Sequence, residues 1–223
     1  MIAKNKTVYF LIDCSGSMAG NRADAVNIAM QKVVAEVLPD LRYMNKMDLN
    51  LKFVVYGFSD NNGEKVFPIV PKTSLENFNR WDPIDVSKFR GGTPTGAAIE
   101  WVIEDLEKGS LNGDIETNAV APAIILISDG EPTGTDPTYE EALARAEKDN
   151  PKYSEKFRRA LRVALGINVE DAGRESLKKF GKLSTSITAE GIEPYYDCSE
   201  EYKDKLVDIL KSVTLHLSTP PRL

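Results

Sequence analysis

The chain has 223 residues, of which 42% are hydrophobic, and it carries 28 Lys and Arg residues against 34 Asp and Glu residues. This length and composition suit one α/β domain with a substantial core, and they exclude a wholly disordered chain. The net charge of -6 disfavours nucleic acid as a partner, because such binding depends on clustered Lys and Arg.

The first apolar run, residues 8–12, is short and lacks the small-residue cleavage pattern of a signal peptide, so it is interpreted as a strand. No apolar run is long enough to cross a membrane. The two cysteines, Cys14 and Cys198, are too few for a disulfide framework and favour a reducing compartment. We therefore expect a cytoplasmic protein without membrane insertion.

Apolar runs alternate with helical patterns along the chain, which is typical of a mainly parallel sheet with helices on both faces. Five runs rich in branched or aromatic residues are predicted strands: 7–12, 51–58, 121–128, 160–167 and 192–196. A sixth run, 65–70, contains Pro68, which cannot donate a ladder hydrogen bond, and it follows the turn-rich segment SDNNGE. It is predicted to form a hairpin with the preceding strand at the edge of a six-stranded α/β sheet.

Helices are predicted from apolar residues that recur every three or four positions. The first such pattern runs from Val26 to Leu41, where Pro39 is expected to end the helix. In the segment TPTGAAIEWVIEDLEK, Thr93 is the predicted N-cap and Pro94 the first helical residue.

Three further helices are predicted towards the C-terminus. Thr138 and Glu141 are predicted to form a capping box for a helix that ends near residue 147, and a short helix is predicted over 174–180. Ser199 is the predicted cap of the last helix. We expect a single domain over residues 1–218, followed by a short tail at 219–223.

Polar clusters follow two of the predicted strands and precede one helix. DCSGS ends the first strand, RGGTPTG precedes a helix, and DGEPTGTD follows AIILIS. Because the carboxyl ends of parallel strands meet at one edge of a sheet, five oxygen-bearing side chains are expected to meet there. They are Asp13, Ser15, Ser17, Thr93 and Asp129.

Two carboxylates and three hydroxyls, without His or Cys, suit a hard divalent cation such as Mg²⁺, Mn²⁺ or Ca²⁺ and disfavour zinc or copper. The two carboxylates balance the charge of the cation, and the neutral hydroxyls add contacts without adding charge. A cation held in this way favours one more anionic oxygen on its open side. We expect that oxygen to come from a Glu or Asp carboxylate of a partner protein.

The motifs DCSGS, GGTPTG and ISDGEPT resemble the metal-ion-dependent adhesion site of von Willebrand factor type A domains, and the order of strands and helices agrees over nearly the whole chain. The resemblance implies a doubly wound, Rossmann-like fold with one antiparallel edge strand. It implies that Ser15, Ser17 and Thr93 ligate the metal directly, and that Asp13 and Asp129 often act through water.

Within this family the loops most resemble those of bacterial stand-alone tellurium-resistance (TerY-like) proteins. That resemblance implies a cytoplasmic scaffold in a stress-response system, working beside a protein kinase and a phosphatase.

Each predicted ligand also has a structural explanation: Ser15 or Ser17 could cap the next helix, Thr93 could be an N-cap, and Asp129 could begin a turn. The D-x-S-x-S spacing and three clusters at one sheet edge favour the metal site. Three further residues of the last loop are interpreted as solvated rather than as ligand-selecting: Glu131, Thr133 and Asp136.

Enzyme functions have little support in the sequence. A Ser-His-Asp arrangement would need His216, the sole histidine, which is predicted at the surface of the last helix, and nucleotide-binding and hydrolase motifs are missing from the sequence. The remaining alternative is a Mg-dependent phosphatase similar to the haloacid dehalogenases, whose first strand ends in D-x-D. Because Ser15 stands where their second acid acts as general acid and base, a non-enzymatic protein is predicted.

Overall fold

The computed structural model describes residues 4–44, 49–61, 63–89, 91–108, 119–134, 136–147, 155–198 and 202–218. Their strands form one six-stranded sheet, in the order β3-β2-β1-β4-β5-β6. The strands are β1 (Lys4–Asp13), β2 (Leu49–Asn61), β3 (Glu64–Ser74), β4 (Ala123–Ser128), β5 (Leu161–Gly166) and β6 (Tyr195–Asp197). Strand β3 pairs antiparallel with β2, and the other neighbours are parallel. The predicted sheet, with its one antiparallel edge strand, is confirmed.

Pro68 lies in the edge strand β3 opposite Tyr56, and the register of β2 and β3 shifts beside this pair. A proline is tolerated there because β3 has a partner strand on one side only. The hairpin forms as predicted, and its second strand extends beyond the predicted range of 65–70 to end at Ser74.

The helices cover both faces of the sheet. They are α1 (Asn21–Lys32), α2 (Leu38–Met44), α3 (Thr95–Lys108), α4 (Tyr139–Glu147), α5 (Glu155–Arg159), α6 (Asp171–Phe180), α7 (Thr185–Ala189) and α8 (Tyr202–Ser218). No helix among the described residues is both long and apolar enough to cross a membrane.

Alternating side chains of β1 point into two separate cores. Val8 and Phe10 belong to the core under α1 and α8, whereas Tyr9 and Leu11 belong to the core under α3 and α4. All four are fully buried. Burial of one such side chain contributes about 1.5–3 kcal/mol, so β1 is anchored from both sides and its carboxyl end is held firmly.

The expectation that Pro39 ends the first helix is wrong. A π-helical turn, Val33–Val37, connects α1 directly to α2, and the N–H of Leu38 bonds to the carbonyl of Val33. Pro39 lacks an N–H and its ring clashes with the carbonyl of a normal preceding turn. The wider turn accommodates the ring, so the chain stays helical to Met44.

The predicted capping box is confirmed, because Thr138 N–H donates to Glu141 Oε2 at 3.0 Å and Glu141 N–H donates to Thr138 Oγ1 at 3.2 Å. The Thr93 cap is wrong by one position: α3 begins at Thr95, and the carbonyl of Pro94 accepts the first helical bond. Ser199 and the tail 219–223 lie outside the described residues.

Candidate metal site

Three loops meet at the carboxyl edge of the sheet. Strands β1 and β4 are neighbours, and they end at Asp13 and Ser128. The loop before α3 reaches the same place, because the N–H of Gly16 donates to the carbonyl of Gly91 at 3.3 Å and the N–H of Asp60 donates to the carbonyl of Gly92 at 3.2 Å. Backbone contacts thus bring together the three segments that carry the predicted ligands.

Four of the five predicted ligands are joined by hydrogen bonds. Ser15 N–H donates to Asp13 Oδ1 at 2.8 Å, and the hydroxyls of Ser15 and Ser17 lie 3.1 Å apart. The Ser17 hydroxyl donates to Asp129 Oδ1 at 2.9 Å. The D-x-S-x-S segment and the acid that follows β4 therefore form one continuous cluster.

Thr93, the fifth predicted ligand, lies beside Gly130, where its Oγ1 is 3.8 Å from the position that a Cβ atom would take. Its backbone is held by Thr133, whose Oγ1 accepts from the N–H of Thr93 at 2.8 Å and whose N–H donates to the Thr93 carbonyl at 3.1 Å. The Thr93 hydroxyl makes no hydrogen bond to any residue that the structure describes. It is available as an oxygen ligand.

The loop that carries Thr93 depends on a glycine. Gly91 has a φ of +110°, and a Cβ atom there would lie 2.0 Å from the carbonyl oxygen of Asp60. No side chain fits in that contact, and the positive φ is unfavourable for other residues. Glycine therefore lets the loop pack directly on the end of β2.

Asp13 is the most buried acid of the site, with 0% exposure. Its pKa is raised to about 6, mainly by burial and to a lesser extent by the nearby charge of Asp129, while hydrogen bonds from Ser128 and Ser15 oppose the rise. Ser128 Oγ donates to Oδ2 at 2.6 Å, so both carboxylate oxygens accept hydrogen bonds. A carboxylate held in this way is poorly placed to attack a phosphate, which disfavours the phosphatase alternative.

Arg22 belongs to the site although the sequence gave no reason to include it. Its Nη1 donates to Asp129 Oδ2 and, at 2.9 Å, to the carbonyl of Ser17. In the sequence, an arginine in the first turn of a helix resembles any solvated surface residue. Only the fold shows that Arg22 faces the loop after β4.

The residues that the sequence set aside lie as follows. Glu131, Thr133 and Asp136 are exposed, although Thr133 also braces Thr93. Cys14 is fully buried, and burial raises the pKa of its thiol. His216 is partly exposed on α8, where its ring nitrogen lies 2.7 Å from the carbonyl of Ser212.

The donor set determines which ion the site can hold. Within the described ranges, no three or more His, Cys, Asp or Glu side chains form a group that could hold a metal. The candidate site instead has only two carboxylates, and its other three oxygen donors are hydroxyls. Oxygen donors of this kind fit a hard divalent cation, with Ser15, Ser17 and Thr93 as candidate direct ligands.

A family model described as the von Willebrand factor type A domain matches residues 7–187, which is most of the chain. No curated protein matches the chain in sequence. Solved structures of the same fold also match, and the three described next have low sequence identity to this chain.

The pilus adhesin SpaC from Lactobacillus rhamnosus GG, in an open conformation, matches with a TM-score of 0.63 and 17% identity over 96% of this chain and 30% of that one. The vWF domain of the type V pili tip protein Mfa5 from Porphyromonas gingivalis matches with a TM-score of 0.54 and 13% identity, over 100% of this chain and 99% of that one. Proximal thread matrix protein 1 from the mussel byssus, with a zinc-occupied MIDAS motif, matches with a TM-score of 0.54 and 15% identity, over 95% of this chain and 46% of that one. The chain thus spans about a third of SpaC, and these likenesses show the fold alone.

Proposed function

Since the chain belongs to the von Willebrand factor type A family, we propose that it is a divalent-metal-dependent protein-interaction domain without enzymatic activity. The observation that carries the proposal is the convergence of five oxygen-bearing side chains from three loops at one sheet edge. They are Asp13, Ser15, Ser17, Thr93 and Asp129. We propose Mg²⁺ as the ion, with Mn²⁺ or Ca²⁺ as alternatives; the zinc-occupied motif of the mussel protein supports a divalent cation in general.

The charge of the site indicates what the partner supplies. Above pH 6 the site contains two carboxylates, and Arg22 contributes one guanidinium. A bound divalent cation would leave the group with a net positive charge and supply a Lewis-acidic position. A Glu or Asp carboxylate from a partner protein suits that position, and the surrounding surface would add specificity.

The cellular role is proposed on the loop sequences alone. Their resemblance to TerY-like proteins supports a bacterial scaffold for tellurite resistance that works with a kinase and phosphatase system. Two free, buried cysteines are compatible with a cytoplasmic location. Deletion of the gene in its host should increase sensitivity to tellurite, and unchanged growth on tellurite would contradict this role.

Two experiments test the metal-dependent interaction. Thermal unfolding is first compared in chelator and in Mg²⁺, Mn²⁺ or Ca²⁺, where an ion at about 100 times its Kd adds roughly 2.7 kcal/mol of stability. Affinity capture is then performed with Mg²⁺ and with chelator, using the natural protein and the Asp13→Ala variant. A partner retained only by the natural protein with Mg²⁺ is expected; metal stabilisation and capture that survive Asp13→Ala would refute the proposal.

A further inference from the structure

The Arg22 guanidinium covers the carboxylate of Asp129. Arg22 lies in the first turn of α1, and its Nη1 donates to Asp129 Oδ2 and to the carbonyl of Ser17. The Arg22 side chain is 28% exposed, whereas that of Asp129 is 0% exposed. The arginine therefore lies on the solvent side of a buried acid and neutralises it.

Both oxygens of Asp129 are engaged in this arrangement. Oδ1 accepts from the Ser17 hydroxyl and Oδ2 accepts from Arg22. A buried carboxylate needs a cation or strong donors beside it, because an unpaired charge in the interior is costly. The guanidinium and a divalent cation at the three loops would meet the same electrostatic need.

We propose that Arg22 is an intrinsic competitor of the metal for Asp129, and that it sets the metal concentration at which the site fills. This inference rests on the proposed metal-binding function and adds a regulatory element to it. The guanidinium keeps its charge at every physiological pH, so the competition is permanent. Because coupling between two sites is reciprocal, metal binding weakens the Arg22–Asp129 contact as much as that contact weakens metal binding.

The competition raises the apparent Kd of the site for the metal. The ion pair joins α1 to the loop after β4, so the positions of Ser17 and Asp129 are maintained by the chain itself. A divalent cation must then overcome an existing contact. Half-maximal partner binding through the metal would consequently need a higher metal concentration than it would without Arg22.

Calorimetric titration with Mn²⁺ tests the proposal on the full chain, comparing the natural protein with Arg22→Gln. The variant should bind Mn²⁺ about tenfold more tightly. Arg159→Gln is the matched control, because it also removes one arginine from an ion pair, in this case with Glu155. Both residues lie on α5, the helix before β5, at the opposite edge of the sheet from the candidate site. Its affinity for Mn²⁺ should equal that of the natural protein.

The titration is repeated in 0.5 M KCl, where the Debye length falls to about 4 Å and remote charges are screened. A gain that persists there supports direct competition, whereas a gain that disappears, or an unchanged or weaker affinity of Arg22→Gln, overturns the proposal. In melting experiments the Arg22→Gln protein should have a lower Tm than the natural protein in chelator. In saturating Mn²⁺ the two proteins should have the same Tm. If neither protein binds Mn²⁺, the proposed metal function itself fails; if both bind equally, only the role of Arg22 fails.

Discussion

Ser128 Oγ donates a 2.6 Å hydrogen bond to Asp13 Oδ2, so the last residue of β4 stabilises the charge on the last residue of β1. The bond opposes the effect of burial on the pKa of Asp13. Since a metal competes with a proton for this carboxylate, Ser128 should influence the pH at which the site binds metal.

Ser128→Ala is expected to raise the pKa of Asp13 above its value of about 6. Mn²⁺ binding should then require a higher pH, with a loss of roughly tenfold in affinity near pH 6.5, because one hydrogen bond to a charged group contributes about 1.5–3 kcal/mol. Titrations from pH 5.5 to 8 measure the shift. Ser176→Ala, which alters a buried serine in α6, is the control. An unshifted pH profile in Ser128→Ala would contradict the expectation.

In chelator, Asp13 should make the protein less stable as the pH rises, the opposite of the usual effect of a carboxylate. Its pKa is raised from 3.8 to about 6, so the folded protein holds this proton more tightly than the unfolded chain does. The contribution to stability is complete below pH 3.8 and is lost as the pH rises through about 6. By pH 8 the loss approaches about 3 kcal/mol.

Asp13→Asn removes this titration while preserving the shape of the side chain. The variant should therefore be more stable than the natural protein at pH 8 in chelator, and the difference should narrow towards pH 5. It should also lose any stabilisation by Mg²⁺. Urea unfolding at four pH values measures both effects, and a difference that is constant with pH would refute the raised pKa.

The positions of the five candidate ligands were predictable because parallel topology carries the ends of β1 and β4, and the loop before α3, to one edge. The motif spacing did not reveal Ser128 or Arg22. Ser128 ends an apolar run and looks like a small packed residue, and Arg22 looks like a solvated helix residue. Their roles depend on distances between strands and loops that lie more than 100 residues apart.

Local backbone structure was predictable where side chains determine it and not where the surrounding structure does. The capping box of Thr138 and Glu141 is a local pair and was found. The π-helical turn before Pro39 has no sequence signature, because the rest of the core decides whether a helix continues. The five-residue helices α5 and α7 are too short to show a period.

Gly91→Ala should destabilise the protein strongly and misplace Thr93. A Cβ atom at Gly91 would lie 2.0 Å from a backbone oxygen of Asp60, in addition to the strain of a φ of +110°. Gly63→Ala is a matched control, since its φ is +94° but the space around it is open. We expect a loss of about 1 kcal/mol for Gly63→Ala and at least twice that for Gly91→Ala, measured by urea unfolding. Equal losses would show that the close approach to Asp60 is unimportant.

The Thr93 hydroxyl offers the sharpest separation of metal binding from folding. It makes no hydrogen bond to a described residue, and Thr93 is 4% exposed. Thr93→Val keeps the branched shape and removes only the oxygen, so the Tm in chelator should change little. If that oxygen is a metal ligand, the affinity for Mg²⁺ or Mn²⁺ should fall by tenfold or more, about 1.4 kcal/mol.

Thr93→Ser is the complementary variant, because it keeps the oxygen and removes the methyl group. It should lose some stability through the small cavity that the missing methyl leaves, about 1 kcal/mol, yet bind metal nearly as well as the natural protein. Calorimetry with Mn²⁺ and melting in chelator on the three proteins give both quantities. A Thr93→Val protein that binds Mn²⁺ normally would remove Thr93 from the ligand set, and it would leave the loop before α3 with a structural role only.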